Sequence, residues 1–318
     1  MHKILVSAPY LQNEFADYAG RFAREGWIPV LPPVKERLDE DALLGLVGDV
    51  DGMICGDDQL TARVLDGAPK LQVIVKWGTG IDSIDQGHAA ALGIPVRNTP
   101  NAFTAPVSDS VLAFILVFAR NVVGSDRVMK DGRWEKLPAF SMAERTVGII
   151  GVGSIGRAVA SKLAAFGGRV MGTDIARIPD EVCASCRIEM VSLDCLLRDA
   201  DFVSVNCTLN PTSRHLLTRD RFSMMKPTAV VINTARGPII KQDDLVWALE
   251  HGVVAGAALD VFEDEPLAVS SPLRSMSNVL LSSHATNASP KSWKAVHENS
   301  IDMLRQGLTG QGRRFRAA

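Results

Sequence analysis

The stretch TVGIIGVGSIGRAVA, residues 146–160, is an apolar run followed by three glycines and then small residues suited to a helix. Gly151, Gly153 and Gly156 stand where a strand should turn into that helix. In such a turn the first glycine permits the bend, the second lets backbone approach a pyrophosphate, and the third lets helix and strand pack closely. The amides around Gly151, Gly153, Ser154, Ile155 and Gly156 would then face an anion. On the glycines alone, a dinucleotide cradle and a ligand-free turn stand level. Asp174 separates the two readings. It ends the next strand-like run, RVMGTD (169–174), eighteen residues after Gly156, where a carboxylate accepts hydrogen bonds from ribose hydroxyls. A carboxylate there repels a ribose 2′-phosphate, so the expected cofactor is NAD, while Arg177 leaves a weaker NADP reading open.

Outward from this stretch, short apolar runs alternate with helical patterns. KILVSA, WIPVLP, DGMICG, LQVIVKWG and IPVRN precede it; GRVMGTD, DFVSVNC, AVVINTA, VAGAALD and NVLLSSH follow. Such alternation implies parallel sheets covered by helices on both faces. The expectation is α/β, with two Rossmann-like doubly wound domains and a cleft between them. The chain should cross between the domains twice, through a long apolar helix from about Ala105 to Asn121 and a last helix with Ser289 as N-cap and Pro290 in its first turn. The first domain is then discontinuous and flavodoxin-like, residues 1–98 plus 287–318, and residues 99–286 form the cofactor domain.

Composition bounds the partners. A chain of 318 residues with 47% hydrophobic and 22% charged residues and a net charge of −2 is neither disordered nor built to coat nucleic acid. MHKILVSAPY reaches polar sequence too soon for a signal peptide, and VLAFILVFA (111–119) is too short to span a bilayer. The expected compartment is the cytoplasm, with no membrane partner. Five cysteines suit reduced thiols, and the Cys183/Cys186 pair lacks the companions that a metal or redox site needs, so no metal is expected.

Three residues supply a reaction. Arg236 in NTARGP, Glu265 in FEDEP and His284 in SSHATN each follow a strand-like run, at the carboxyl ends where open α/β sheets bind ligands. An arginine fork grips a carboxylate, and a histidine beside a carboxylate holds a proton it can hand to a ketone. Arginine and glutamate at strand ends are commonly surface ion pairs, and most histidines are structural. His2, His88, His251 and His297 accordingly carry little weight, and His215 either lines the cofactor side or, as the favoured reading, caps a loop.

GVGSIG with Asp174, NTARG, ALDVFEDEP and SSH, in this order, resemble the D-isomer-specific 2-hydroxyacid dehydrogenase family over nearly the whole chain. LQVIVKWGTGIDSID with GIPVRNTPNAFT resembles its substrate loop and hinge. The resemblance implies that Arg236 binds the substrate carboxylate, Glu265 tunes His284, and His284 is the acid/base. It places backbone amides around Thr79 and Gly80 on the carboxylate, Asp260 on the nicotinamide amide, and Cys207, Thr208, Thr234 and Ala235 around it. It implies a small 2-hydroxy or 2-keto acid as partner and pairing into homodimers through the cofactor domain.

The departures bear on substrate. Where phosphoglycerate-oxidising members carry arginine, this chain has ICGDDQLT; Asp57 and Asp58 would repel a phosphate dianion, so an unphosphorylated substrate is expected. Lys76 offers one positive charge and keeps D-3-phosphoglycerate as the second reading. Thr286 and Asn287 replace glycine-rich sequence after His284, and they either add hydrogen bonds to a polar substrate or, as the favoured reading, cap the last helix. Asp109 stands where the family often has glutamate, and no regulatory domain is expected after the last helix. A rival of another class is an NAD-sensing corepressor, against which the full Arg236, Glu265 and His284 set argues.

Overall fold

The computed structural model describes residues 1–310 and falls into two compact units, Met1–Phe103 with Ser289 onward and Thr104–Ala288. Residues 311–318, the end of the segment expected to rejoin the first unit, lie outside the described residues. The crossings fall a few residues later than 98 and 286. Loop 98–102 stays with the first unit because Asn98 Nδ2 donates to Thr79 O and Thr99 N to Gly78 O.

In the first unit, strands β1 (His2–Val6), β2 (Trp27–Val30), β3 (Gly52–Cys55), β4 (Val73–Lys76) and β5 (Val96–Arg97) form a parallel sheet ordered β2-β1-β3-β4-β5. This is the flavodoxin-like order, whose carboxyl-end crevice opens where the winding reverses. Leu5, Met53 and Ile74 join a core with Leu43, Val64 and Leu65. The last helix, Pro290–Leu308, lies against β3 and β4, with Val296, Ile301 and Leu304 wholly buried. A side chain at Gly307 would come within 2.6 Å of Val73, so glycine lets helix and strand meet. Ser289 Oγ accepts from Ser292 N and Pro290 occupies the first turn, as the sequence indicated.

The second unit holds β6 (Thr146–Ile150), β7 (Arg169–Thr173), β8 (Glu189–Met190), β9 (Phe202–Val205), β10 (Val230–Asn233), β11 (Gly256–Leu259) and β12 (Val279–Leu281), all parallel and ordered β12-β11-β10-β9-β6-β7-β8. Two cores cover the two faces. Val147, Ile149 and Ile232 pack with Val111, Ile115 and Val159 on one side, and Val203, Val231 and Leu259 with Leu197, Phe222 and Leu245 on the other. β8 is absent from the sequence reading because its two residues are exposed and show no alternation. The long apolar helix spans Thr104–Ala119; Asn121, in the left-handed region at φ 49°, ends it, and a second helix, Val122–Lys130, leaves at 55°. Among the described residues no single helix is long and apolar enough to cross a membrane.

Candidate active site

Between β6 and β9 the winding of the second sheet reverses, and the glycine turn sits there. Gly151 has φ 94°, and a Cβ on it would lie 2.5 Å from Cys207 N, so only glycine lets the loops after β6 and β9 meet. A Cβ on Gly156 would lie 2.2 Å from Gly151 O, which keeps the turn closed on its helix. Gly153 differs: it caps the helix Ser154–Ala164, is exposed, and a Cβ there would meet nothing within 4 Å. The turn is thus tight where protein meets protein and open at the helix N-terminus, and a pyrophosphate fits that opening. Asp174 Oδ2 accepts from Val152 N at 2.7 Å and Oδ1 from Ala176 N at 2.9 Å, which fixes the carboxylate beside the turn. Each oxygen keeps a second lone pair for a ribose hydroxyl. Burial pushes the Cys207 thiol up to about 11, so it stays neutral. Thr208 O accepts from Ser213 Oγ. Asn233, which the sequence reading passed over, shapes the next loop: its Oδ1 accepts from Ala235 N and its Nδ2 donates to Arg236 O, around half-buried Thr234. An Asn at a strand end is the legible signal for such a turn.

The loops after β10, β11 and β12 carry Arg236, Glu265 and His284. Gly237 brings the first two loops together, since a Cβ there would sit 1.8 Å from Phe262 O. Arg236 is half-buried, with Nη1 on Ala235 O at 2.8 Å. His284 Nδ1 lies 2.9 Å from Glu265 Oε2, and both side chains are about one-fifth exposed. Phe262 N donates to Glu265 Oε1, so the carboxylate is oriented from behind. A carboxylate only accepts, which places the proton of that bond on Nδ1. His284 is held at φ 53°, a left-handed backbone that costs a residue with a Cβ about 1 kcal/mol or more.

Asp260 turns its carboxylate to the loop of His284. It is fully buried; Oδ1 accepts from Ala285 N at 2.8 Å, and Oδ2 from Thr286 N at 3.2 Å and Thr286 Oγ1 at 2.5 Å. Thr286 therefore does not cap the last helix, and neither does Asn287, since Ser289 holds that position. Asp109 pairs with Lys162 Nζ at 2.6 Å. His215 links loops: its N donates to Pro238 O and its Nε2 meets Glu263 Oε1 at 2.6 Å.

In the first unit, Asp57 and Asp58 part ways. Asp58 is fully buried and accepts from Ser7 Oγ at 2.5 Å, Leu38 N at 2.7 Å and Gly56 N at 3.1 Å. Burial raises its pKa, against the pull of those donors. It supports the fold and faces no ligand, so the expectation of two repelling carboxylates is corrected to one. That one, Asp57 Oδ1, lies 2.8 Å from Lys76 Nζ, so the lysine's charge is already matched. Thr79 is exposed and Gly80 half-buried, on a loop tied down by Thr79 Oγ1 to Thr99 O. Just before it, Trp77 Nε1 donates to His297 Nδ1 at 2.8 Å. His297, which the sequence reading set aside, is fully buried. Cys183 and Cys186 are free thiols on the helix Asp180–Cys186.

Residues 112–286 match the family model described as D-isomer specific 2-hydroxyacid dehydrogenase, NAD binding domain. The chain is 36% identical to a glyoxylate reductase of Thermofilum pendens over 88% of this chain and 83% of that one. It is 33% identical to a D-3-phosphoglycerate dehydrogenase of Methanocaldococcus jannaschii, over 86% of this chain and 53% of that longer protein. Among solved structures, a D-lactate dehydrogenase from Aquifex aeolicus complexed with NAD and lactic acid superposes with TM-score 0.87 at 25% identity, covering 97% and 96% of the two chains.

Proposed function

The chain belongs to the D-isomer specific 2-hydroxyacid dehydrogenase family and is an NAD-dependent oxidoreductase; on that premise we propose that it interconverts an unphosphorylated D-2-hydroxy acid and its 2-keto acid. The observation that carries this is the His284–Glu265 pair at 2.9 Å, on loops that Gly237 locks to the Arg236 loop. NAD, when bound, supplies the hydride acceptor, and Gly151, Gly153, Ser154, Ile155, Gly156 and Asp174 would hold its pyrophosphate and ribose, with Cys207, Thr208, Thr234 and Ala235 farther along. Arg236 grips the substrate carboxylate with its planar fork. Glu265 keeps the Nδ1 proton of His284 in place, and Nε2 passes the second proton to or from the substrate oxygen. Thr79 and Gly80 carry the backbone amides that the resemblance assigns to the substrate carboxylate.

The restriction to unphosphorylated acids rests on Lys76. A cation already paired with Asp57 gives a phosphate dianion little. A panel of glyoxylate, hydroxypyruvate and larger 2-keto acids with NADH and NADPH, set beside oxidation of D-3-phosphoglycerate, tests both specificities. Turnover of 2-keto acids with NADH is expected; efficient D-3-phosphoglycerate oxidation overturns the substrate class, and a preference for NADPH overturns the Asp174 argument. The five free cysteines suit the cytoplasm. A homodimer is supported by Val122, Met129 and Trp134, which are 50%, 53% and 87% exposed on one stretch and call for cover. Sedimentation of the Trp134→Glu variant as a monomer, against a wild-type dimer, is the expected result.

A further inference from the structure

Four hydrogen bonds run from one aspartate to three consecutive residues at the acid/base histidine. His284 N donates to Asp260 O at 2.8 Å, Ala285 N to Oδ1, and Thr286 N and Oγ1 both to Oδ2. Asp260 is 0% exposed and Thr286 6%, so water does not compete for these bonds. From the other side Ser110 Oγ, on the helix Thr104–Ala119, reaches Thr286 O at 3.4 Å. Between these fixtures His284 holds φ 53°, a conformation its own backbone does not favour.

We infer that Asp260 and Thr286 form a positioning clamp that holds the His284 turn left-handed and so aims the imidazole at Glu265. This rests on the reading of His284 as the acid/base. Two of the three donors on this carboxylate come from Thr286. The hydroxyl is where this chain adds to a backbone turn: glycine at 286 would supply the amide alone. Asp260 and Thr286 act through His284 and touch no reacting atom.

The test is a pair of variants at Thr286, because replacing Asp260 would leave two buried amides unpaired and endanger folding. Thr286→Val removes the hydroxyl at nearly constant shape, and Thr286→Ser keeps it. The expected result is a kcat about tenfold lower for Thr286→Val, with the KM for the keto acid and the dissociation constant of NADH unchanged, and recovery in Thr286→Ser. A wild-type kcat in Thr286→Val overturns the clamp. So does weakened NADH binding at unchanged kcat. His284→Ala in the same series separates the two levels: turnover retained there sinks the acid/base reading itself, whereas an inactive His284→Ala beside a normal Thr286→Val sinks only the clamp.

Discussion

His284 and His297 both commit Nδ1, the first to Glu265 Oε2 at 2.9 Å and the second to Trp77 Nε1 at 2.8 Å, and the chemistry of the partner separates them. A carboxylate accepts only, so Nδ1 of His284 carries a proton, and in the proposed reaction the exchange runs through Nε2. An indole N–H donates only, so Nδ1 of His297 must be bare, its proton sits on Nε2, and the ring is neutral. Exposure follows the same division, 21% for one side chain and none for the other. A histidine's job is thus set by what its first nitrogen faces and by whether water reaches the second.

The largest expected effect breaks the catalytic half of this comparison. His284→Ala removes the proposed proton carrier and should lower kcat about 10³-fold, while NADH titrated by fluorescence binds as before. Turnover near wild type would leave His284 no more catalytic than His297. Glu265→Gln is milder, because Phe262 N still has an oxygen to bond and Nε2 is untouched. Its amide can donate to Nδ1 and stabilise the wrong tautomer, so a fall in kcat of about 10²-fold is expected in steady-state assays. No fall would show that the carboxylate only fills space.

The two histidines were unequally legible in the sequence. His284 follows an apolar strand and stands in order after NTARG and FEDEP, and it is the resemblance carried by that order that singles it out. His297 carried a signal that was not used: with Ser300, Ile301 and Leu304 it lies on one helical stripe, and all four are buried. Its partner is 220 residues away, and no local pattern names Trp77. Adjacent Asp57 and Asp58 mark another limit. Neighbours at a strand end point apart, so one meets Lys76 and the other the interior, and direction is what spacing does not encode. The strands of both sheets were readable because apolar runs bounded by turn residues have few other uses; β8 and the break at Asn121 depend on an exposed edge and one left-handed residue.

Breaking the structural half costs stability instead of rate. His297→Ala leaves a cavity and a buried indole donor without a partner, for a loss of about 2–4 kcal/mol, read as a lower melting temperature with kcat little changed below the transition. His297→Asn keeps an acceptor for Trp77 and should lose less. The smallest effect is the slope with pH. Burial first of all holds the pKa of His297 below its ordinary value, while Glu14, whose Oε2 lies 3.4 Å from Nε2, and Glu298 pull it back up; Tyr18 packs edge-on and Trp77 brings no charge. The unfolded chain therefore binds this proton at a pH where the folded chain does not, and the stability this residue contributes is whole above about pH 6.5 and lost as pH falls below it. One proton sets the ceiling, a slope of about 1.4 kcal/mol per pH unit. Denaturant unfolding between pH 7 and pH 5 should fall more steeply for the wild type than for His297→Asn. Equal slopes would mean that the buried ring already carries its proton, and that the indole does not dictate the tautomer as the carboxylate does at His284.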